Sequence, residues 1–202
     1  MRTPPQRSDE WPTLAATATP EQIDAALAAG ADVDATDTVG RTAILIAAKA
    51  GRLDVVRHLI AAGADIDRQD QICLNPFLWG CISGNPELVR IMVEAGTDLE
   101  RTTRFYGKGI HPASEKGHLG IVRYLTEETD INLNHTNLCG WTPLLEAILL
   151  RDGGSVQQQI VRLLVDNGAD PTMVDELGVS PLAHAERLGF TEIADILRAA
   201  LA

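Results

Sequence analysis

Apolar residues recur along this chain at the spacing of one helix face, and the pattern itself then recurs about every 33 residues. Val55, Val56, Leu59 and Ile60 form one cluster, Leu88, Val89, Met92 and Val93 the next, and Ile121, Val122 and Leu125 a third. Steps of one, three and four residues place such side chains on a single helical face and leave the intervening Arg, His and Glu for solvent. A short acidic segment follows each cluster. Gly30-Ala31-Asp32-Val33-Asp34 returns as Gly63-Ala64-Asp65-Ile66-Asp67 and as Gly96-Thr97-Asp98-Leu99, copies that lie 33 residues apart. Shorter versions are Thr129-Asp130-Ile131-Asn132 and Gly168-Ala169-Asp170-Pro171. Repetition at this period predicts stacked helical units that bury their apolar faces on one another.

The ends of the helices are also readable. Thr142 is an N-cap for a helix whose first turn holds Pro143, where the missing N–H costs nothing, and Ser180-Pro181 repeats the arrangement. Gly51, Gly84, Gly117 and Gly189 stop the first helix of each unit with a left-handed residue. Gly63, Gly96 and Gly168 close the second helix, after which the chain turns outward into a finger. This predicts an all-α repeat of helix-turn-helix units with protruding β-turn fingers. A loose lead-in covers residues 1–19 and a single repeat domain covers 20–202. The domain divides into an N-terminal half-unit at 20–36 with one helix from Glu21 to Ala29, units at 37–69, 70–102, 103–134 and 135–174, and a C-terminal cap at 175–202.

Gly140-Trp141-Thr142-Pro143-Leu144, with looser starts at Gly40 and Gly178 and degenerate ones at Cys73 and Tyr106, resembles the opening of an ankyrin repeat. The run from Gly40 to Gly51 carries the same resemblance, which extends over residues 20–202. Asn75-Pro76-Phe77-Leu78, Thr103-Arg104-Phe105-Tyr106-Gly107 and Arg151-Asp152-Gly153-Gly154 are similar to a bacterial group of small single-domain ankyrin proteins. The resemblance implies an ankyrin solenoid that binds a protein partner in a concave groove of finger tips and first helices. Carried over residue by residue, it implies contact positions at Arg41, Ile72, Leu74, Trp79, Arg104, Phe105, Tyr106, Glu115, Leu138, Trp141, Glu146, Leu149, Asp152 and His184. The groove would centre on Trp79, Phe105 and Trp141, with Arg104, Glu115 and Glu146 orienting the partner. The alternative for Trp79 and Trp141 is packing against neighbouring fingers as core.

Departures from the repeat cluster in the fourth and fifth units. The fourth lacks the Thr-Pro cap and reads Lys108-Gly109-Ile110-His111. It ends one residue early, at Glu128-Thr129. The following finger is longer, through Asn134-His135-Thr136-Asn137. Extra residues around Asp152-Gly153-Gly154 separate the two helices of the fifth unit, and Ser155 with Gln158 reads as a capping box that starts the second helix early. Such changes are either drift in a tolerant loop or a locally shaped binding surface.

Composition narrows the functional classes. The chain has 202 residues, 45% of them hydrophobic and only 4% aromatic, so its core is aliphatic. A net charge of −11 disfavours a phosphate-backbone partner and could steer a basic one. No segment has the roughly 18 consecutive apolar residues of a membrane helix. Three cysteines without a CxxC pair argue against a disulfide framework, and a reducing, cytoplasmic setting follows as the expectation. The 14 arginines against 3 lysines suggest a GC-rich bacterial source.

Catalytic chemistry is weakly signalled. His111 occupies the slot in which ankyrin repeats keep a histidine bonded to neighbouring turns, and His118 follows a helix-ending glycine. No His or Cys pair has zinc spacing. Gly153-Gly154 reads as a turn and not as a phosphate cradle, so neither metal nor cofactor is expected. Glu115, Glu146 and Asp152 could meet as paired carboxylates, but an open groove excludes water poorly. The main expectation is therefore a monomeric, non-enzymatic module binding an unknown protein, with no nucleic acid or membrane partner. The alternatives are a small-molecule or peptide sensor, or a rare catalyst, with a polar pocket of Arg104, Glu115, Glu146 and His135 at the fourth and fifth repeats, and self-association through the groove.

Overall fold

The computed structural model describes residues 11–202. Among them are twelve helices and no strand, only an isolated bridge between Thr36 and Thr42. The first helices of successive repeats are α1 (Trp11–Leu14), α3 (Ala43–Lys49), α5 (Pro76–Ser83), α7 (Ile110–Glu115), α9 (Pro143–Leu149) and α11 (Pro181–Leu188). The second helices are α2 (Pro20–Ala28), α4 (Leu53–Ala61), α6 (Pro86–Glu94), α8 (Leu119–Glu128), α10 (Ser155–Asp166) and α12 (Thr191–Ala200). The chain divides into two compact units, one of Met1–Gly80 with Glu87–Asp98 and the other of Cys81–Pro86 with Leu99–Ala202. The repeat pattern carries no mark of that division.

The apolar clusters read from the sequence are core. Val55, Val56, Leu59, Leu88, Val89, Met92, Ile121, Val122 and Leu125 are all buried. In the second unit α7 packs on α9 and α9 on α11, while α8 packs on α10 and α10 on α12. First and second helices thus form two parallel rows, as expected when each pair buries its face on the next. In the first unit α3 packs against α1 and α4.

The N-terminal region differs from expectation. Residues 1–10 of the expected lead-in lie outside the described residues. Residues 11–19 are ordered into the fold, with Trp11 buried and its indole N–H donating to the Asp32 carbonyl at 2.7 Å. The short α1 precedes α2 and packs on α3, so the expected half-unit has a first helix after all. Trp11, Leu14 and the small alanines that follow have no helical periodicity to signal it. Thr19 and Gln22 form a reciprocal capping box at the start of α2.

Thr142 and Ser180 cap α9 and α11 as the sequence indicates, accepting the N–H groups of Leu145 and Ala183 at 3.2 Å. The box expected from Ser155 and Gln158 does not form. Gly154 is the cap residue, Ser155 is already helical, and the Gln158 amide donates to the Gly153 carbonyl at 3.0 Å. The early start of α10 nevertheless holds. Its lengthened loop is pinned by Gly153, at φ +68°, where a Cβ would meet the Phe190 ring at 2.5 Å. His118 lies against Gly84 with the same closeness. A ring of the following repeat thus lies against a left-handed glycine between the two helices in both places.

Candidate functional site

Each finger is a four-residue turn built on one side chain. In the fifth repeat Asn137 Oδ1 accepts the N–H groups of Cys139 and Trp141, at 2.8 and 3.1 Å. In the sixth, Asp175 Oδ1 accepts those of Leu177 and Val179, both at 2.9 Å. Asp37 and Asp70 do the same in the second and third repeats. Thr103 is the substitute in the fourth, accepting only from Phe105. The turn's last residue is left-handed: Gly40, Gly140 and Gly178 where glycine is present, but Cys73 and Tyr106 at φ 60° in the two degenerate repeats. Left-handed backbone costs a non-glycine residue about 1–2 kcal/mol.

The two central residues of each turn point outward, as does the last residue Tyr106 in the fourth repeat, and many are apolar. In the first unit Val39 and Ile72 are exposed. In the second, Phe105 is 56% exposed, Tyr106 60%, Leu138 60% and Leu177 86%. Arg104 lies over the Phe105 ring at 4.7 Å. Neighbouring fingers are tied by main-chain bonds, Leu138 N–H to the Phe105 carbonyl at 2.8 Å and Gln71 N–H to the Val39 carbonyl at 3.2 Å. His135 Nε2 donates to the Tyr106 carbonyl at 2.7 Å. These bonds hold the exposed rings on a stiff frame.

Not every residue expected at the contact surface is there. Leu74, Glu146 and His184 are buried, because each points from the turn or first helix into its own repeat. Arg41 is half-buried and bonded to Asp37, its Nε donating to Oδ2 at 2.7 Å. Trp79 belongs to the first unit, where Lys49 Nζ lies 4.4 Å from its ring. Trp141 is half-buried, and its carbonyl accepts from His111 Nε2 at 3.3 Å. Leu149 is half-buried, and Asp152 is exposed with Oδ1 accepting the Gly154 N–H. Ile72, Arg104, Phe105, Tyr106 and Leu138 are the exposed members of the expected set at finger tips.

Behind the fingers of the second unit lies a polar layer. His184 Nε2 meets Asp175 Oδ2 at 2.7 Å, and Arg187 meets His184 Nδ1 at 2.8 Å. A guanidinium only donates, so Nδ1 accepts and Nε2–H donates to the carboxylate. Bonds from the Val179 N–H and from His184 hold the Asp175 carboxyl below the usual range. At the matching positions of the fifth repeat stand Asn137, Glu146 and Leu149. Asn137 Nδ2 donates to Glu146 Oε1 at 2.6 Å, and Glu146 Oε2 is buried without a partner. Burial pushes the Glu146 carboxyl up to about 7, and the nearby Glu115 carboxylate pushes the same way.

His111 donates from Nε2 to the carbonyls of His135 and Trp141, so it bonds neighbouring turns as its motif slot implies. Burial pulls its imidazole down to about 4, and the His135 ring, 5.7 Å away, adds to the shift. Lys108, in the place of the capping threonine, is almost wholly buried, and its ammonium reaches both Glu100 oxygens at 2.6 Å. Without a side-chain cap, and with Gly109 at its start, α7 is only six residues long. Cys81 is core and Cys139 is exposed. Among the described residues no group of three or more His, Cys, Asp or Glu converges as a metal site requires.

A family model of ankyrin repeats matches residues 13–103 and 110–200, nearly the whole described chain. The chain belongs to the ankyrin-repeat family. It is 49% identical over 180 residues to the ankyrin repeat protein YahD of Escherichia coli strain K12, covering 89% of this chain and 90% of that protein. The crystal structure of an ankyrin repeat domain from Acinetobacter baumannii AYE matches with a TM-score of 0.90 at 38% identity, covering 95% of this chain and 97% of that one. That of the ankyrin repeat protein EF0377 matches with a TM-score of 0.88 at 33% identity, covering 96% and 98%. These relatives include bacterial ankyrin proteins, and ankyrin repeats are generally non-enzymatic protein–protein interaction modules. No described helix is long and apolar enough to cross a membrane.

Proposed function

We propose that this ankyrin chain is a non-enzymatic module that binds a protein partner through its finger tips and the exposed edges of its first helices. The carrying observation is the set of exposed apolar side chains on tied fingers in the second unit: Phe105, Tyr106 and Leu138. Exposed apolar side chains that cluster, with a polar rim, mark interaction sites, and aromatic residues dominate binding hot spots. The rim here is Arg104 and His135. Cytoplasmic location, a monomeric chain and regulation of the partner complete the proposal. The buried Glu146 supports a second reading, a small-molecule or peptide sensor with a polar pocket at the fourth and fifth repeats.

The test is capture from the native organism's lysate, with wild type beside a Phe105→Ala/Leu138→Ser variant. Both side chains are exposed, so the variant should keep its melting temperature. One protein retained by wild type and lost by the variant is the expected result. Equal retention by both would remove the fingers from the reading. Retention of nothing would shift the weight to the small-ligand reading.

A further inference from the structure

On the interaction-module reading the fingers dock the partner, and the polar layer behind them bears on what chemistry that partner brings. In the first unit, the last residue of α3, Lys49, lies over Trp79 of α5. The same two repeat positions in the second unit are held by Glu115, the last residue of α7, and Glu146 of α9, helices that pack together. A cation–π contact is thus replaced by two carboxylates. The inner one, Glu146, is only 7% exposed, and its Oε2 lacks any partner. A buried carboxylate oxygen with no donor is costly and calls for a ligand or a proton.

We propose that Glu115 and Glu146 form a receptor for one arginine side chain of a partner protein, with the guanidinium lying between the two carboxyl groups. The proposal rests on the interaction-module reading. A guanidinium presents five N–H donors in a planar fork and can serve two carboxylates at once, which an ammonium point charge does less well. A metal ion is disfavoured because no third ligating side chain joins the pair among the described residues. The whole-chain net charge of −11 favours a basic partner.

The resident cation beside the pair is Lys116, whose charge acts on Glu146 as well as on Glu115. Lys116 Nζ stands 3.7 Å from Glu115 Oε1, too long for a strong charge-assisted bond, and both side chains are about one-third exposed. These two flexible ends part to admit the guanidinium, since Oε2 itself is closed to solvent. Arg151 is engaged, its Nε donating to the Glu115 carbonyl at 2.6 Å. From α10, Gln157 donates to the Ser114 carbonyl. From α11, His184 is bonded to Asp175 and Arg187 to His184. Glu146 retains its proton close to neutrality, so loading the site releases that proton and tightens binding as pH rises.

The probe is blocked arginine, with blocked citrulline as its neutral isostere, titrated into the full chain at about pH 6 and about pH 8 while the glutamate carboxyl carbons are followed by NMR. Saturable shifts at Glu115 and Glu146 with arginine, tighter at the higher pH, and silence with citrulline are expected. Glu146→Gln, which keeps the acceptor for Asn137, and Glu115→Gln, at a partly exposed position, should each weaken binding about tenfold. No shift with arginine, equal shifts with citrulline, or undiminished binding in both variants would overturn the site. Arginine binding with no protein captured from lysate would uphold the site and remove support from the module reading. A captured partner held equally by both glutamine variants would leave the module reading standing and remove the arginine site.

Discussion

The fifth and sixth repeats share one architecture and differ in how it is completed. In the sixth, Asp175, His184 and Arg187 form a chain in which both ring nitrogens of the buried histidine are bonded. In the fifth, Asn137 and Glu146 begin the same chain, and Leu149 stands where the arginine would finish it. The backbone turn is the same in both, with Asn137 and Asp175 each accepting two N–H groups. One position thus works as an internal lock in one repeat and as an unfilled acceptor in the next. Repeat proteins allow this because each unit's fold is secured by its neighbours.

Breaking the closed network should have the largest effect. Asp175→Ala removes the acceptor for two turn N–H groups and leaves His184 Nε2 buried without a partner. It should cost about 3 kcal/mol in urea denaturation. The matching change Asn137→Ala removes the same turn acceptors but no fully closed network, and should cost less.

The open network should declare itself through pH. Glu146, with a folded value of about 7 against an ordinary 4.5, binds more protons folded than unfolded between those values. Its contribution is therefore favourable at low pH and is lost as pH rises through about 7, the opposite of a salt-bridged carboxylate. His111, lowered to about 4, acts in the other direction: its contribution is lost as pH falls below the ordinary histidine range toward 4. The two partly cancel in the wild type. The stability difference between Glu146→Gln and wild type isolates the first, and should grow in the variant's favour by about 2 kcal/mol from pH 5 to pH 8. A flat difference would mean that Glu146 is ionised in the ordinary range.

The smallest change closes the open network. Leu149→Arg installs the residue of the sixth repeat at the half-buried position three residues after Glu146. It should raise stability at pH 8 by about 1 kcal/mol, measured by denaturation, and make the chain less responsive to blocked arginine. No gain would indicate that the fifth repeat's geometry does not admit a guanidinium from this side.

Much of the fold was legible because the repeat writes it several times. Caps at Thr142 and Ser180, left-handed glycines at Gly51, Gly84, Gly117 and Gly189 and the apolar clusters of the second helices all follow from local rules that recur. The short α1 was not legible, since Trp11 is held by a distant carbonyl and a neighbouring helix and not by its own periodicity. The failed box at Ser155 shows a cap motif overridden by Gly154, which the close approach of Phe190 to Gly153 places just ahead of the helix.

Exposure was legible at the finger tips, where the turn geometry forces side chains outward, and misread at the turn exits and first helices. Leu74, Glu146 and His184 sit at positions that ankyrin repeats expose in principle, yet here they fold back on their own turn. That turn-to-helix bonding depends on which residue begins the turn, nine positions earlier for Glu146 and His184, and is a pairwise matter invisible to a single-position rule. Lys108 likewise reads as a lost cap and proves to be a buried cation paired with Glu100.

The most direct test of the account is the titration of the Glu146 side-chain carboxyl by carbon NMR in the free protein. The account predicts a midpoint at about 7, with Glu115→Gln lowering it. A midpoint in the ordinary glutamate range, unmoved by Glu115→Gln, would contradict it, and the fifth repeat would then be as closed as the sixth.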